Sequence, residues 1–251
     1  MSTKPNISAN GNVRALIGFA VGCIFMFGIM AGESGLFSRI WSLYSDDIMF
    51  LAVQHIELVL LSSALAILVG VPAGIWLSRP SMERYAQSAL QVFNIGTTVP
   101  TLAILALSIT FMGIGFTPAI FGLWIATLLP IVRNVYQGLR EVPAHLKEAA
   151  TGMGMRPLHI LWAVELPNAL FVMFAGIRTA VAINVGTVPL AFLIGGGGLG
   201  ELIFSGISLD DMDMLLAGAI PVALLSMLAD FLLSQIQLWL IPRGVNPLRA
   251  K

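Results

Sequence analysis

Ionisable side chains are scarce in this chain, so each one set in an apolar run raises a question of chemistry. Arg178 and Asp230 lie well inside two hydrophobic stretches, where an unpaired charge costs several kcal/mol. At about 1.5 Å per residue, both fall about 15 Å from the ends of their stretches. Equal depth makes them natural partners, and an ion pair between the fifth and sixth spans is expected rather than a substrate or proton carrier. His55 and Glu57 are two residues apart and so point to different faces of a helix. Their place near the start of a predicted span suggests anchoring at headgroup level rather than proton relay. Cys23 is the only cysteine, which excludes a disulfide framework and a cysteine-based zinc site. No His, Cys, Asp and Glu cluster has metal-ligand spacing, and no Ser, His and Asp arrangement is suggested. No catalytic residue and no metal site are therefore expected.

The elements that carry these residues are set by composition. Apolar residues make up 57% of the 251 positions, charged residues only 10%, and the mean hydropathy is +0.91. Such a chain is an integral membrane protein, since soluble domains average about a quarter charged. Runs of about 20 apolar residues mark spanning helices, and six are predicted, at about 15–33, 50–78, 87–112, 117–137, 168–194 and 214–241. The first follows Lys4 and Arg14 but is longer than the apolar core of a secretory signal, about 7–15 residues, so an uncleaved span is expected. The third holds Asn94, Thr97, Thr98 and Pro100, and the fifth holds Asn184, Gly186, Thr187 and Pro189. Helix breakers among polar groups are tolerated at membrane depth where backbone is protein-buried or lines a cavity. Asn94, Thr97, Pro100, Asn184 and Thr187 are accordingly expected to face a translocation path at a subunit interface, with small-residue helix packing as the alternative.

Six spans put both termini on one side, and the basic residues choose the cytoplasmic one. That side then holds Lys4, Arg14, Arg79, Arg84, Arg133, Arg140, Lys147, Arg156, Arg243, Arg249 and Lys251, leaving only Arg39 outside and Arg178 within a span, while Glu33, Asp46, Asp47, Glu201, Asp210, Asp211 and Asp213 lie outside. Net charge is zero and no basic run is long enough to suggest nucleic acid. No connection reaches domain size, so residues 1–251 read as one transmembrane unit. Four glycines at 195–198 preclude a straight helix there, and LGELIF after them reads as a short helix or re-entrant turn on the outer face. A phosphate loop is excluded by the missing GxxxxGK[ST] pattern, leaving an outer gate or a docking surface for a solute-binding protein.

The connection 138–167 is the polar one. Its stretch EAATGMGMRPLHILWAVELP, residues 148–167, predicts a short helix over 148–154 with Pro143 and Ala144 near its start and Gly152 and Gly154 at its end. A second helix is predicted from Pro157 until Pro167 breaks it. Ala149, Ala150, Gly152 and Gly154 would leave the elbow open to close approach by a partner. The spacing of Glu148-Ala149-Ala150, Gly154, Val164, Leu166 and Pro167 resembles the EAA loop of ATP-binding-cassette importer permeases, with Val164 in place of the usual Ile. The resemblance implies an all-α, MetI-like fold of about six transmembrane helices. It implies that Glu148, Ala149, Ala150, Gly152, Gly154, Arg156 and Pro157 couple to a cytoplasmic ATPase.

The stretches 93–107, 133–150 and AGIRTAVAINVGTVPLAFLIGGGGLGELIFSGI, from Ala175 to Ile207, look similar to permeases for glycine betaine, choline or carnitine. A partner ATPase would then hold ATP and magnesium, this chain binding neither, and an external binding protein would select the solute. A second permease copy or a paralogue would complete the unit in the bacterial inner membrane. A permease for another small solute, or an ion-coupled secondary transporter, is the alternative.

Overall fold

The computed structural model describes residues 18–22, 28 and 35–241. Most of the first predicted span, and the basic residues of both termini, lie outside these. Among the described residues the first long helix is α1, Leu36–Leu77, of 42 residues. At about 1.5 Å per residue it is roughly twice as long as a hydrocarbon core of about 30 Å requires. The sequence placed its start near residue 50. What extends it is a stripe of Leu36, Ile40, Tyr44, Ile48 and Leu51 on one face, packed against Leu199, Leu202 and Ala217. Arg39, Asp46 and Asp47 stand exposed on the other side, and their polarity hid the stripe from a hydropathy scan.

A tight turn over Pro80–Met82 leads into a broken span made of α2, Glu83–Thr98, and α3, Thr101–Met112. The break bends the path by 98°. Pro100 is the cause, because it donates no N–H and disfavours helix in the residue before it; Val99 is extended, with ψ 124°. The next span is α4, Phe116–Arg140, and the short α5, Ala144–Gly152, follows it; it starts directly after Pro143 rather than at 148, and stops at Gly152 rather than 154 because Gly154 turns left-handed.

From Pro157 to Ile194 the chain is continuously helical. It starts as α6, Pro157–Ile160, widens to a π turn over Leu161–Glu165, continues as α7, Leu166–Thr187, and tightens to a 3₁₀ helix over Val188–Ile194. Pro167 was expected to break this path and does not. The π turn accommodates it: the N–H of Leu166 reaches back five residues to the carbonyl of Leu161, and the amide of Asn168 donates to the Val164 carbonyl at 2.7 Å. The expected irregularity at Pro189 appears as the 3₁₀ segment. Glycines 195–198 form a loop before α8, Gly200–Leu209, and α9, Met212–Leu240, ends the described chain.

Four of these stretches are long and apolar enough to span a membrane, and the bent pair makes a fifth, among the described residues. Packing is centred on α1, α4 and α7, whose Leu58, Ala66, Leu123, Ile131, Val135, Ala169 and Ala180 are buried together. Gly70 and Gly74 of α1 leave room for Ile131 and Val135 of α4, the small-xxx-small spacing that lets membrane helices approach.

Candidate functional site

Two places bear on function: the elbow at α5 and a recess at the bend of the broken span. In the elbow, the end of α5 is a Schellman turn. The N–H of Met155 donates to the Ala150 carbonyl at 3.1 Å and that of Gly154 to the Thr151 carbonyl at 2.9 Å, with Gly154 left-handed at φ 79°. Pro143 precedes the first turn and Arg156 sits extended before Pro157. Glu148, Ala149, Gly152, Gly154, Arg156 and Pro157 are all exposed. Ala150 is not on the open face, being 1% exposed; it is turned inward as one of the helix's anchoring residues. Met153 and Leu158 instead contribute exposed apolar surface, at 74% and 67%. The elbow is therefore a solvent-facing knob with an apolar crown.

Just beyond it lie two charges that the sequence analysis did not pair. Glu165, the last residue of the π turn, is 9% exposed, and Nη1 of Arg79, just past the end of α1, stands 2.7 Å from its Oε2. Each sits at a span end on the same predicted face with opposite charge, a signal like the one that joined Arg178 to Asp230. A second pair at this end, Arg140 with Glu83, is 2.9 Å apart and exposed.

The recess, of about 180 Å³, lies where the α2–α3 bend meets α4 and α7, and Thr97, Ala126, Thr127, Asn184 and Thr187 are among its lining residues. Thr97, Asn184 and Thr187 are thus brought together. Pro100 forms the bend, between lining residues Val99 and Thr101. Asn94 is separated from the recess: it lines another hollow with Leu90, Arg133, Tyr136 and Gln137, because α2 turns it towards the α5 end of α4.

The recess presents acceptors. The hydroxyls of Thr97, Thr127 and Thr187 donate to the carbonyls of Asn94, Leu123 and Asn184 at 2.7, 2.7 and 3.1 Å. Asn184, 2% exposed, donates through Nδ2 to the hydroxyl oxygens of Ser62 and Ser63 at 2.8 and 2.9 Å, while its Oδ1 is buried with no partner. Pro130 inside α4 removes the N–H that the Ala126 carbonyl would otherwise receive. With these donors spent, lone pairs remain.

Arg178 and Asp230 meet in a two-pronged pair, Nε to Oδ1 at 2.5 Å and Nη2 to Oδ2 at 2.6 Å, the geometry that suits guanidinium to carboxylate. It joins α7 to α9, with side chains 30% and 44% exposed at the bundle surface. His55 is not a headgroup anchor. It is fully buried, with Nε2–H donating to the Val185 carbonyl at 3.1 Å, because α1 begins at Leu36 and places it about five turns in. Glu57 is exposed on another face. At the opposite end of the bundle, Gln54 Oε1 accepts from the Gly198 N–H at 3.1 Å. Arg39 pairs there with Asp213 at 2.9 Å and the Tyr44 hydroxyl donates to Asp211 at 2.9 Å.

A multi-pass helical protein with a broken span, a polar recess beside it and an exposed elbow between two spans has the build of a transport permease. Residues 70–244 match the family model described as binding-protein-dependent transport system inner membrane component, and the chain belongs to that family. It is 47% identical over 222 residues to the osmoprotectant import permease protein OsmY of Salmonella typhimurium, covering 88% of this chain and 93% of that one. It is 39% identical to the choline transport system permease protein OpuBB of Bacillus subtilis, covering 81% and 93%. To the carnitine transport permease protein OpuCB of Listeria monocytogenes it is 41% identical, covering 78% and 89%. Among solved structures, an inward-facing MetNI methionine ABC transporter chain superposes with a TM-score of 0.69 at 23% identity, over 80% of this chain and 98% of that one. That likeness establishes the ABC permease fold.

Proposed function

We propose that this chain is the permease subunit of an ATP-driven importer for quaternary-ammonium osmoprotectants such as glycine betaine or choline. The observation that carries the solute class is the identity to three relatives whose names cover an osmoprotectant, choline and carnitine. The recess supports it, since its lining carries no charged residue and is largely apolar, with Val99, Ile104, Ala126, Pro130, Ala180 and Ile183 around a few oxygens, which suits a methylated ammonium group that has no N–H to donate.

The exposed elbow supports docking of a separate cytoplasmic ATPase, with Glu148, Ala149, Gly152 and Gly154 towards the partner, Arg156 and Pro157 setting the exit of the chain, and Ala150 holding α5 in place from behind. Hydrolysis of ATP with magnesium belongs to that partner. The α5 end is then cytoplasmic, together with both termini, and the glycine loop faces an external solute-binding protein. A second copy or a paralogue closes the path past Thr97, Pro100, Asn184 and Thr187. Asn94 leaves this set.

The test is uptake of labelled glycine betaine, choline and carnitine into proteoliposomes holding the chain, its ATPase and its binding protein. ATP-dependent uptake of at least one, lost together with ATPase binding in Glu148→Arg, Gly154→Trp, is the expected result. Uptake that persists without an ATPase and follows an ion gradient would overturn the importer reading.

A further inference from the structure

The π turn over Leu161–Glu165 lies between the elbow and the membrane-crossing part of α7, and it is a point of slack. A π turn holds one residue more than an α turn would, is rare, and occurs often at functional positions. Returning it to α geometry would rotate what precedes it by about 100°, one residue's share of a helical turn. A push on α5 and α6 therefore has two outlets: it is absorbed as rotation at this turn, or it is passed on.

Glu165 opposes the first outlet. Its carboxylate is nearly buried, and its Oε2 stands 2.7 Å from Arg79 Nη1 as an ion pair while accepting no aligned hydrogen bond. Leaving that partner would strand a buried charge, which is strongly unfavourable. Arg79 is itself tied to the end of α1, since Nε donates to the Ile75 carbonyl at 3.2 Å and Nη2 to the Ser78 hydroxyl at 2.9 Å. One residue later the chain enters the Pro80–Met82 turn and then α2, whose Glu83 is paired with Arg140 of α4. The ion pair thus connects the π turn to the root of α1 and to the start of the broken span.

We propose that Arg79 and Glu165 form a clamp that keeps the π turn in register, so that displacement of α5 is delivered to α1 and the α2–α3 bend instead of being lost at Leu161–Glu165. Both are positioning residues, and the role rests on α5 being the ATPase-docking element. The clamp has a signature that simple stabilisation lacks: it fixes how much solute moves per ATP.

The experiment measures solute imported and ATP hydrolysed by the reconstituted permease, ATPase and binding protein. Arg79→Glu and Glu165→Arg each lower solute moved per ATP about tenfold, within the range of ordinary coupling energies, while the ATPase still co-purifies. The double variant Arg79→Glu, Glu165→Arg restores most of the ratio. Single variants with an unchanged ratio, or a double no better than its parents, would overturn the clamp. If a reversal prevents assembly, Arg79→Gln and Glu165→Gln are read by the same ratio, and no change there is equally fatal. Failure of the docking reading is seen separately, as ATPase binding retained in Glu148→Arg, Gly154→Trp.

Discussion

A methyl group added to Gly152 or Gly154, at the α5 end of the bundle, would meet nothing within 4 Å, whereas one added to Gly200 at the opposite end would run into the carbonyl of Pro189. The same atom is free at one end and forbidden at the other. Around Gly200 the chain is stitched from several sides: Gly206 sits against the backbone of Leu215, Gly218 against Leu199 and Ile203, and Gly198 is held by Gln54. Around α5 the fixings are few, namely the inward Ala150, the Schellman turn and the Arg79–Glu165 pair. The contrast teaches that the Gly200 end is a tightly packed seat, while the α5 end is left bare, the open surface that the proposed docking of an ATPase requires.

The largest expected effect comes from Gly200→Ala. Its new Cβ faces backbone, which cannot rotate away, so α8 must shift from the Val188–Ile194 segment. Overpacking of this kind costs about 3 kcal/mol, read as a lower melting temperature of the solubilised protein; a melting temperature within a degree or so of wild type would erase the claimed contrast. Gly154→Ala is expected to cost about 1–2 kcal/mol, for a different reason: space is free, but φ of 79° disfavours any Cβ. Gly152→Ala should be neutral or stabilising by about 0.5 kcal/mol, as Gly to Ala in a compatible helical conformation usually is. A stability loss there would mean that the elbow is already packed in the free subunit.

What was legible in the sequence follows the same division. Apolar runs located the spans, and the depth of Arg178 and Asp230 was readable because a lone charge in hydrocarbon needs a partner. The elbow was readable because Gly152, Gly154 and Pro157 act through local backbone preferences. Other features depended on neighbours that a linear scan does not see. The first turns of α1 exist because Leu36 and Ile40 meet Leu199 and Leu202, and misplacing that start misplaced His55. Pro167 looked like a stop because its effect on a helix is local, yet the π turn and Asn168 satisfy the carbonyls around it. Asn94 and Thr97, three residues apart, looked like one lining; Asn94 lies one turn earlier on α2, where Arg133, Tyr136 and Gln137 of α4 shape a different hollow.

The smallest predicted effect concerns the seat. Asp211 caps α9 by accepting the Met214 N–H at 2.9 Å and also receives the Tyr44 hydroxyl. These bonds, the backbone one foremost, hold its carboxyl below the ordinary value of 3.8. A lowered folded value means that the ionised form stabilises the fold above pH 3.8 and that this contribution is lost as pH falls through the depressed value. Asp211→Asn keeps an oxygen for the Met214 N–H but has no proton to gain in this range. Amide exchange at Met214 and Leu215, corrected for intrinsic rates, should therefore quicken in the wild type as pH drops from about 5 to about 3. In the variant it should stay nearly constant. Equal acceleration in both proteins would show that another group governs this corner, with Asp213 and its partner Arg39 the next pair to change.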